Sequence, residues 1–134
     1  MNGSRIMVID DENIVGKMIK TVFEQDDYIV ETFLDAKPAL ARLKEEKFDV
    51  VITDLKMKDI DGMEVLRIIK KDLPKVKVIM ITAFASMDAS IEAFREHVDD
   101  FFPKPVKIAD QIAVWCRRLN HTGGKPVKIA YTSS

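Results

Sequence analysis

Apolar positions along the chain alternate between two periods. Five short stretches, "RIMVID" (5–10), "YIVETF" (28–33), "FDVVITD" (48–54), "KVIMIT" (77–82) and "DFFPK" (100–104), are compact runs rich in β-branched or aromatic residues and read as strands. The segments between them keep a helical spacing. Val15, Met18, Ile19 and Val22 fall at i, i+3, i+4 and i+7, one face of a first helix. Asp35 is placed to cap a second, with Pro38 in its first turn and Leu40 and Leu43 continuing it. "DIDG" (59–62) is a turn into "MEVLRIIKKDL" (63–73), where Leu66, Ile69 and Leu73 point inward and Pro74 stops the helix. Met87, Ile91 and Phe94 mark a fourth helix, with methionine at such spacing ordinarily a core residue. Ile108, Ile112, Trp115 and Leu119 mark the last.

Five strand–helix units with short connections predict an α/β fold: a doubly wound (βα)5 sandwich, its parallel sheet covered by helices on both faces. The first, third and fourth strands are nearly continuous apolar runs, as central strands should be. The second carries Glu31 and Thr32 between Val30 and Phe33, and the fifth contains Pro103, which a central strand would not accept. These two belong at the edges, which predicts the flavodoxin-like order 2-1-3-4-5.

Composition narrows the function classes. The chain has 134 residues, enough for one domain with a real core. A formal net charge of −1 gives no support to direct binding of nucleic acid or of an anionic membrane. No apolar stretch approaches the roughly 20 residues of a membrane span, and the amino terminus is charged too early for a secretory signal. The single cysteine, Cys116, cannot form an internal disulfide, and with two histidines it makes a structural zinc site a poor reading. A cytoplasmic location is expected. Residues 1–121 are read as the domain. Residues 122–134, with Gly123-Gly124 and no periodicity, are read as a linker or tail.

In a sheet of this order, ligands bind beyond the carboxyl ends of the strands, where the order reverses. The residues expected there are Asp10 and Asp11 after the first strand, Asp54 ending the third, Thr82 ending the fourth and Lys104 after the fifth. Carboxylates gathered so closely repel by on the order of 4 kcal/mol per pair at about 4 Å and an effective dielectric near 20. A hard divalent cation with oxygen ligands relieves this, and Mg²⁺ suits one or two carboxylates plus water, with Mn²⁺ as an alternative. Metal and ammonium together favour a phosphoryl group, and a carboxylate can serve as its acceptor.

The order and spacing of "VIDDE", "TDLKM", the Gly62 that falls eight residues after Asp54, "MITA" and "KP" resemble the receiver domains of two-component response regulators over residues 4–120. The resemblance implies that Asp54 takes a phosphoryl group from a sensor histidine kinase or phosphotransfer protein. It implies direct Mg²⁺ ligation by Asp11, Asp54 and the backbone carbonyl of Lys56, with Asp10 acting through water. Lys104 would pair with the phosphoryl oxygens and Thr82 would donate to one of them. Phe101 would turn with Thr82 as a switch, and the Lys104–Pro105 bond would be cis. Lys56 and Phe84 would flank the acyl phosphate and tune its lifetime. The face built by the fourth helix, fifth strand and last helix would meet a target protein or a second copy. Two departures stand out: the family's usual proline after "DLKM" is Lys58, and its usual Gly-Ala before the fifth strand is His97-Val98. The first predicts a looser loop, and the second a turn whose left-handed residue is not glycine.

Blander readings compete residue by residue. Asp10 or Asp11 alone would cap the first helix, Asp54 alone would be a loop acid, and Phe101 and Trp115 would be core. Lys70, Lys71 and Lys75 read as a solvated helix end. "DIDG" fails as a calcium loop because its register puts Ile68 where a glutamate is required. The acidic "DDENIVG" is unsuited to a flavin phosphate. Two functional alternatives stay open: a regulatory piece of a larger protein with a DNA-binding or enzymatic output, and a phosphatase using an aspartyl nucleophile.

Overall fold

The structure, a computed structural model, describes residues 4–83, 86–104 and 114. The elements run β1 (Arg5–Ile9), α1 (Asn13–Glu24), β2 (Ile29–Phe33), α2 (Ala36–Glu45), β3 (Val50–Asp54), α3 (Gly62–Asp72), β4 (Lys77–Thr82), α4 (Met87–Arg95) and β5 (Asp100–Pro103). The five strands form one sheet of order β2-β1-β3-β4-β5, all neighbours parallel. The predicted topology is therefore observed, with β2 and β5 at the edges.

Burial follows strand chemistry. β1, β3 and β4 are buried along nearly their whole length, while β2 is mixed. Alternate side chains divide the core into two layers. Ile6, Val8, Val50, Ile52, Ile79, Ile81 and Phe102 pack under α1 through Val15, Ile19 and Phe23. Met7, Ile9, Val51, Val78 and Met80 pack under α2, α3 and α4 through Leu43, Leu66, Ile69 and Ala93.

Three local expectations change. Asp35 occupies the N-cap position of α2 but makes no side-chain cap. The first two helical amides of α2 donate instead to the Asp59 carboxylate, at 3.1 Å from Ala36 and 2.9 Å from Lys37. On α4, Met87, Ile91 and Phe94 are exposed, and the small residues Ala89 and Ala93 face the sheet. Helical period marked the helix correctly, but the large apolar side chains lie on the outer face. Lys70 is not solvated: its ammonium sits 2.6 Å from the Asp99 carboxylate.

The turn into β5 keeps its left-handed residue without glycine. His97 adopts φ 68. Phe84, the Lys104–Pro105 bond, Ile108, Ile112, Trp115, Cys116, Leu119, His121 and the 122–134 tail lie outside the described residues.

Candidate functional site

The site forms where β1, β3, β4 and β5 end. β1 stops at Ile9, and Asp10 follows it, almost wholly buried, its Oδ1 accepting from the Glu12 amide at 2.8 Å. That bond turns the chain into α1, so Asp10 shapes the entry without capping the helix; the cap position itself is Glu12, and it makes no side-chain cap. β3 ends in Asp54, which is also buried. β5 is followed by Lys104, whose amide donates to the Thr82 carbonyl at 2.8 Å and fixes the lysine against the end of β4.

The Lys104 ammonium gathers the acids. It lies 2.8 Å from Asp10 Oδ2, 2.7 Å from Glu12 Oε1 and 3.3 Å from Asp54 Oδ2. Asp10, Glu12 and Asp54 each offer a carboxylate oxygen within 4.8 Å of the other two. Against three carboxylates, one ammonium leaves the cluster at a formal −2. The consequence shows in the acids. Burial, followed by the charge of Asp10, pushes the Asp54 carboxyl above its ordinary value. Burial likewise pushes Asp10 up, although Lys104 pulls the other way. Burial works to lower Lys104, but its close contacts with the Asp10 and Glu12 carboxylates outweigh that, so it stays charged throughout the neutral range.

Of the residues the sequence nominated, Asp10, Asp54 and Lys104 meet directly. Thr82 is fully buried at the same rim. Lys56 is exposed just beyond, its amide 3.4 Å from Asp54 Oδ1. Asp11 is exposed and lies outside the carboxylate trio. Glu12, given no role beforehand, stands in the trio; its place as the third acid in a row was the available signal. Phe101 is half-buried against the layer under α2 to α4. On α3, a Cβ at Gly62 would collide with the Asp54 carbonyl oxygen, which explains why only glycine fits eight residues after that acid.

The donor set suits a hard cation. It is all oxygen and carries excess negative charge. Buried Asp10 Oδ2 touches Lys104 as an ion contact but makes no directed hydrogen bond. Such an oxygen keeps acceptor capacity for a further donor.

The sequence pattern of the response regulator receiver domain matches residues 6–114. The chain belongs to that family. Receiver domains act in two-component signalling, and the pocket of Asp10, Glu12 and Asp54 is typical of their phosphorylation site. The family is not one of enzymes in the ordinary sense. The DNA-binding transcriptional regulator NtrC of Proteus hauseri is 30% identical over 121 residues, which cover 90% of this chain and 26% of the regulator. The chain thus spans about a quarter of the length of that relative, and receiver domains of this kind occur in larger response regulators. Among solved structures, the beryllofluoride-activated NtrC4 receiver domain dimer superposes with TM-score 0.81 at 26% identity, covering 88% of this chain and 97% of that one. The response regulator TrrA of Thermotoga maritima, solved in complex with Mg²⁺ and beryllofluoride, superposes with TM-score 0.76 at 26% identity, covering 87% and 98%. Among the described residues, no helix is long and apolar enough to cross a membrane.

Proposed function

We propose that the chain is the phosphoacceptor of a cytoplasmic two-component phosphorelay and that Asp54 takes the phosphoryl group. The observation that carries this is the convergence of Lys104 on Asp10, Glu12 and Asp54 at 2.7 to 3.3 Å, leaving the cluster short of positive charge. A carboxylate oxygen of Asp54 attacks phosphorus, the bond to the donor breaks, and the departing histidine nitrogen of a sensor kinase or phosphotransfer protein keeps the electron pair. Lys104 exchanges its contact with Glu12 for a phosphoryl oxygen, and the Thr82 hydroxyl donates to another. Asp11, Asp54 and the Lys56 carbonyl would hold Mg²⁺, or Mn²⁺ in its place, with Asp10 linked through water. When bound, the ion neutralises charge on the phosphoryl oxygens. That a receiver of this fold, TrrA, was solved with Mg²⁺ and beryllofluoride supports a divalent ion at such a site.

Output runs through a surface already apolar. Met87, Ile91 and Phe94 are exposed on α4, a helix that neighbours β5. Phosphorylation draws Thr82 inward, Phe101 repacks, and the face of α4, β5 and the last helix gains affinity for a target protein or a second copy. The NtrC4 receiver, activated by beryllofluoride, is a dimer, which favours the second copy. We place the domain at residues 1–121 with the remainder as a linker. The modest share of the NtrC relative that is covered favours a further reading, in which this domain regulates a larger protein with its own output.

Incubation with a small acyl phosphate and Mg²⁺, followed by intact mass and peptide mapping, tests the reading. One phosphoryl adduct on Asp54 is expected, absent from Asp54→Asn, and beryllofluoride should shift the amide resonances of Thr82 and Phe101. Adduct on another residue, or steady turnover of a phosphomonoester, would replace it with a different chemistry, the latter with a phosphatase.

A further inference from the structure

The loop from Leu55 to Asp61 carries Lys56, whose amide lies 3.4 Å from Asp54 Oδ1. The base is closed by the Gly62 amide donating to the Leu55 carbonyl at 2.7 Å. At position 58 a lysine leaves φ unrestricted where a proline would fix it. Met57 and Ile60 rest against the core layer, and the polar anchor between them is Asp59. Its Oδ1 accepts from the Ala36 amide at 3.1 Å and its Oδ2 from the Lys37 amide at 2.9 Å, across 23 and 22 residues. Those amides are open because Asp35, at the cap position, makes no bond to them. The post is rigid, since α2 is seated on the sheet through buried Ala36, Ala39 and Leu43. The helix end also favours a negative group.

We propose that Asp59 is a positioning residue: docked on the amino end of α2, it holds the loop so that the Lys56 carbonyl is oriented before the divalent cation arrives. This rests on the reading of Asp54 as phosphoacceptor and adds to it a residue outside the acidic pocket. Consistently, the amide bonds from Lys37, Ile60 and Ala36 outweigh the effect of burial and keep the Asp59 carboxyl below its usual value. The device replaces a stiff backbone with a two-pronged clamp. It also ties α2, otherwise remote from the chemistry, to the metal-binding loop.

The test uses the full chain with a small acyl phosphate, titrating Mg²⁺. In Asp59→Ala the Mg²⁺ concentration for half-maximal phosphorylation should rise about tenfold, the order seen when an outer partner of a metal site is removed. The maximal rate at saturating Mg²⁺ should return to the wild-type level. Direct calorimetric titration of Mg²⁺ should show the same weakening without any phosphoryl donor. Asp59→Asn, which keeps one acceptor oxygen, should fall between. Amide hydrogen exchange should quicken at Lys37 and across the loop from Lys56 to Asp61, and nowhere in β1 or β3. An unchanged Mg²⁺ dependence overturns the proposal, as does a lowered maximal rate with unmoved Mg²⁺ affinity. A wild-type chain that forms no adduct on Asp54 overturns the functional reading itself, a different outcome from either.

Discussion

Two clusters of lysine and carboxylate sit at opposite ends of the same parallel sheet, and they are balanced differently. Before β5, Asp99 meets the Lys70 ammonium at 2.6 Å, the Lys77 ammonium at 3.9 Å and the Val78 amide at 2.7 Å. One carboxylate thus faces two cations and a backbone donor, and it joins α3 to the starts of β4 and β5. Beyond the other end of β5, one ammonium faces three carboxylates, and an oxygen of buried Asp10 lacks a directed hydrogen bond. Both clusters are held by the same kinds of group at similar distances. What separates a structural corner from a reactive pocket here is the sum of charge and donors, complete in the first and short in the second.

The sharpest way to break the comparison is to remove one lysine from each. Lys104→Met strips the pocket of the cation it has among the described residues while Asp10 stays almost wholly buried. Breaking a buried pair from one side costs on the order of 3 kcal/mol, read by urea unfolding near neutral pH without divalent metal. Lys70→Met breaks a pair whose two side chains are both part-exposed, leaves Asp99 with Lys77 and the Val78 amide, and should cost about 1 kcal/mol. Equal losses would mean that the two ends are electrostatically alike, and the contrast would fall.

Much of this was legible beforehand because burial is written in apolar residues. Unbroken runs placed β1, β3 and β4 in the middle, and Glu31, Thr32 and Pro103 placed β2 and β5 at the edges. The acids ending β1 and β3 announced the pocket for the same reason, being costly at the margin of a core unless used. What stayed hidden were pairings set by three-dimensional geometry. Nothing near Asp59 in the chain points to the amides of Ala36 and Lys37, and nothing near Lys70 points to Asp99. Helical period found α4 but not its orientation, because Ala89 and Ala93 pack closely on the sheet while Met87, Ile91 and Phe94 look outward. Glu12 went unassigned because a third consecutive acid reads as solvated until the Lys104 side chain is seen to reach it.

The shortage of positive charge has a pH signature with a definite sign. Asp10 and Asp54 hold their protons more tightly when folded than the ordinary carboxyl value of 3.8 would suggest, mainly because they are buried. Over the window from that value up to the raised folded values, these two acids bind more protons in the folded state than in the unfolded, so their own contribution to stability falls as pH rises, while Glu31 and Asp59, both held below their usual values, contribute in the opposite sense at the lower edge of that window. The stabilisation of Lys104 does not oppose this, since it is full below the unfolded lysine value of 10.5 and fades only above it. Asp54→Asn removes one of the crowded charges and should stabilise the metal-free protein by on the order of 1–2 kcal/mol at neutral pH. That advantage should grow as pH rises through the window, because the substitution removes the Asp54 share of the fall. Mg²⁺ at a hundred times its dissociation constant should add about 2.7 kcal/mol to the wild type. Urea unfolding across pH, with and without Mg²⁺, measures all three, and an advantage of Asp54→Asn over the wild type that failed to grow with pH through that window would contradict the charge balance described.

The smallest expected effect probes the finished end of the sheet. α4 closes with the Val98 amide donating to Ala93 at 3.0 Å and the His97 amide to Phe94 at 3.1 Å, a paired motif that satisfies the last carbonyls. Val98 and Ala93, both buried, supply the apolar contact that goes with it. The motif requires a left-handed residue between, and His97 provides it at φ 68, where a side chain crowds the backbone. Its ring is exposed, so no packing offsets the strain. His97→Gly should therefore raise stability by about 0.5–1 kcal/mol, with the greater backbone freedom of glycine in the unfolded chain taking back part of the relief. It should leave the rate of Asp54 phosphorylation and its Mg²⁺ dependence unchanged. Thermal unfolding beside the acyl phosphate assay would check both halves. A glycine variant that altered phosphorylation would mean that strain at the turn before β5 is felt at Lys104, and the two ends of the sheet would have to be treated as one coupled device.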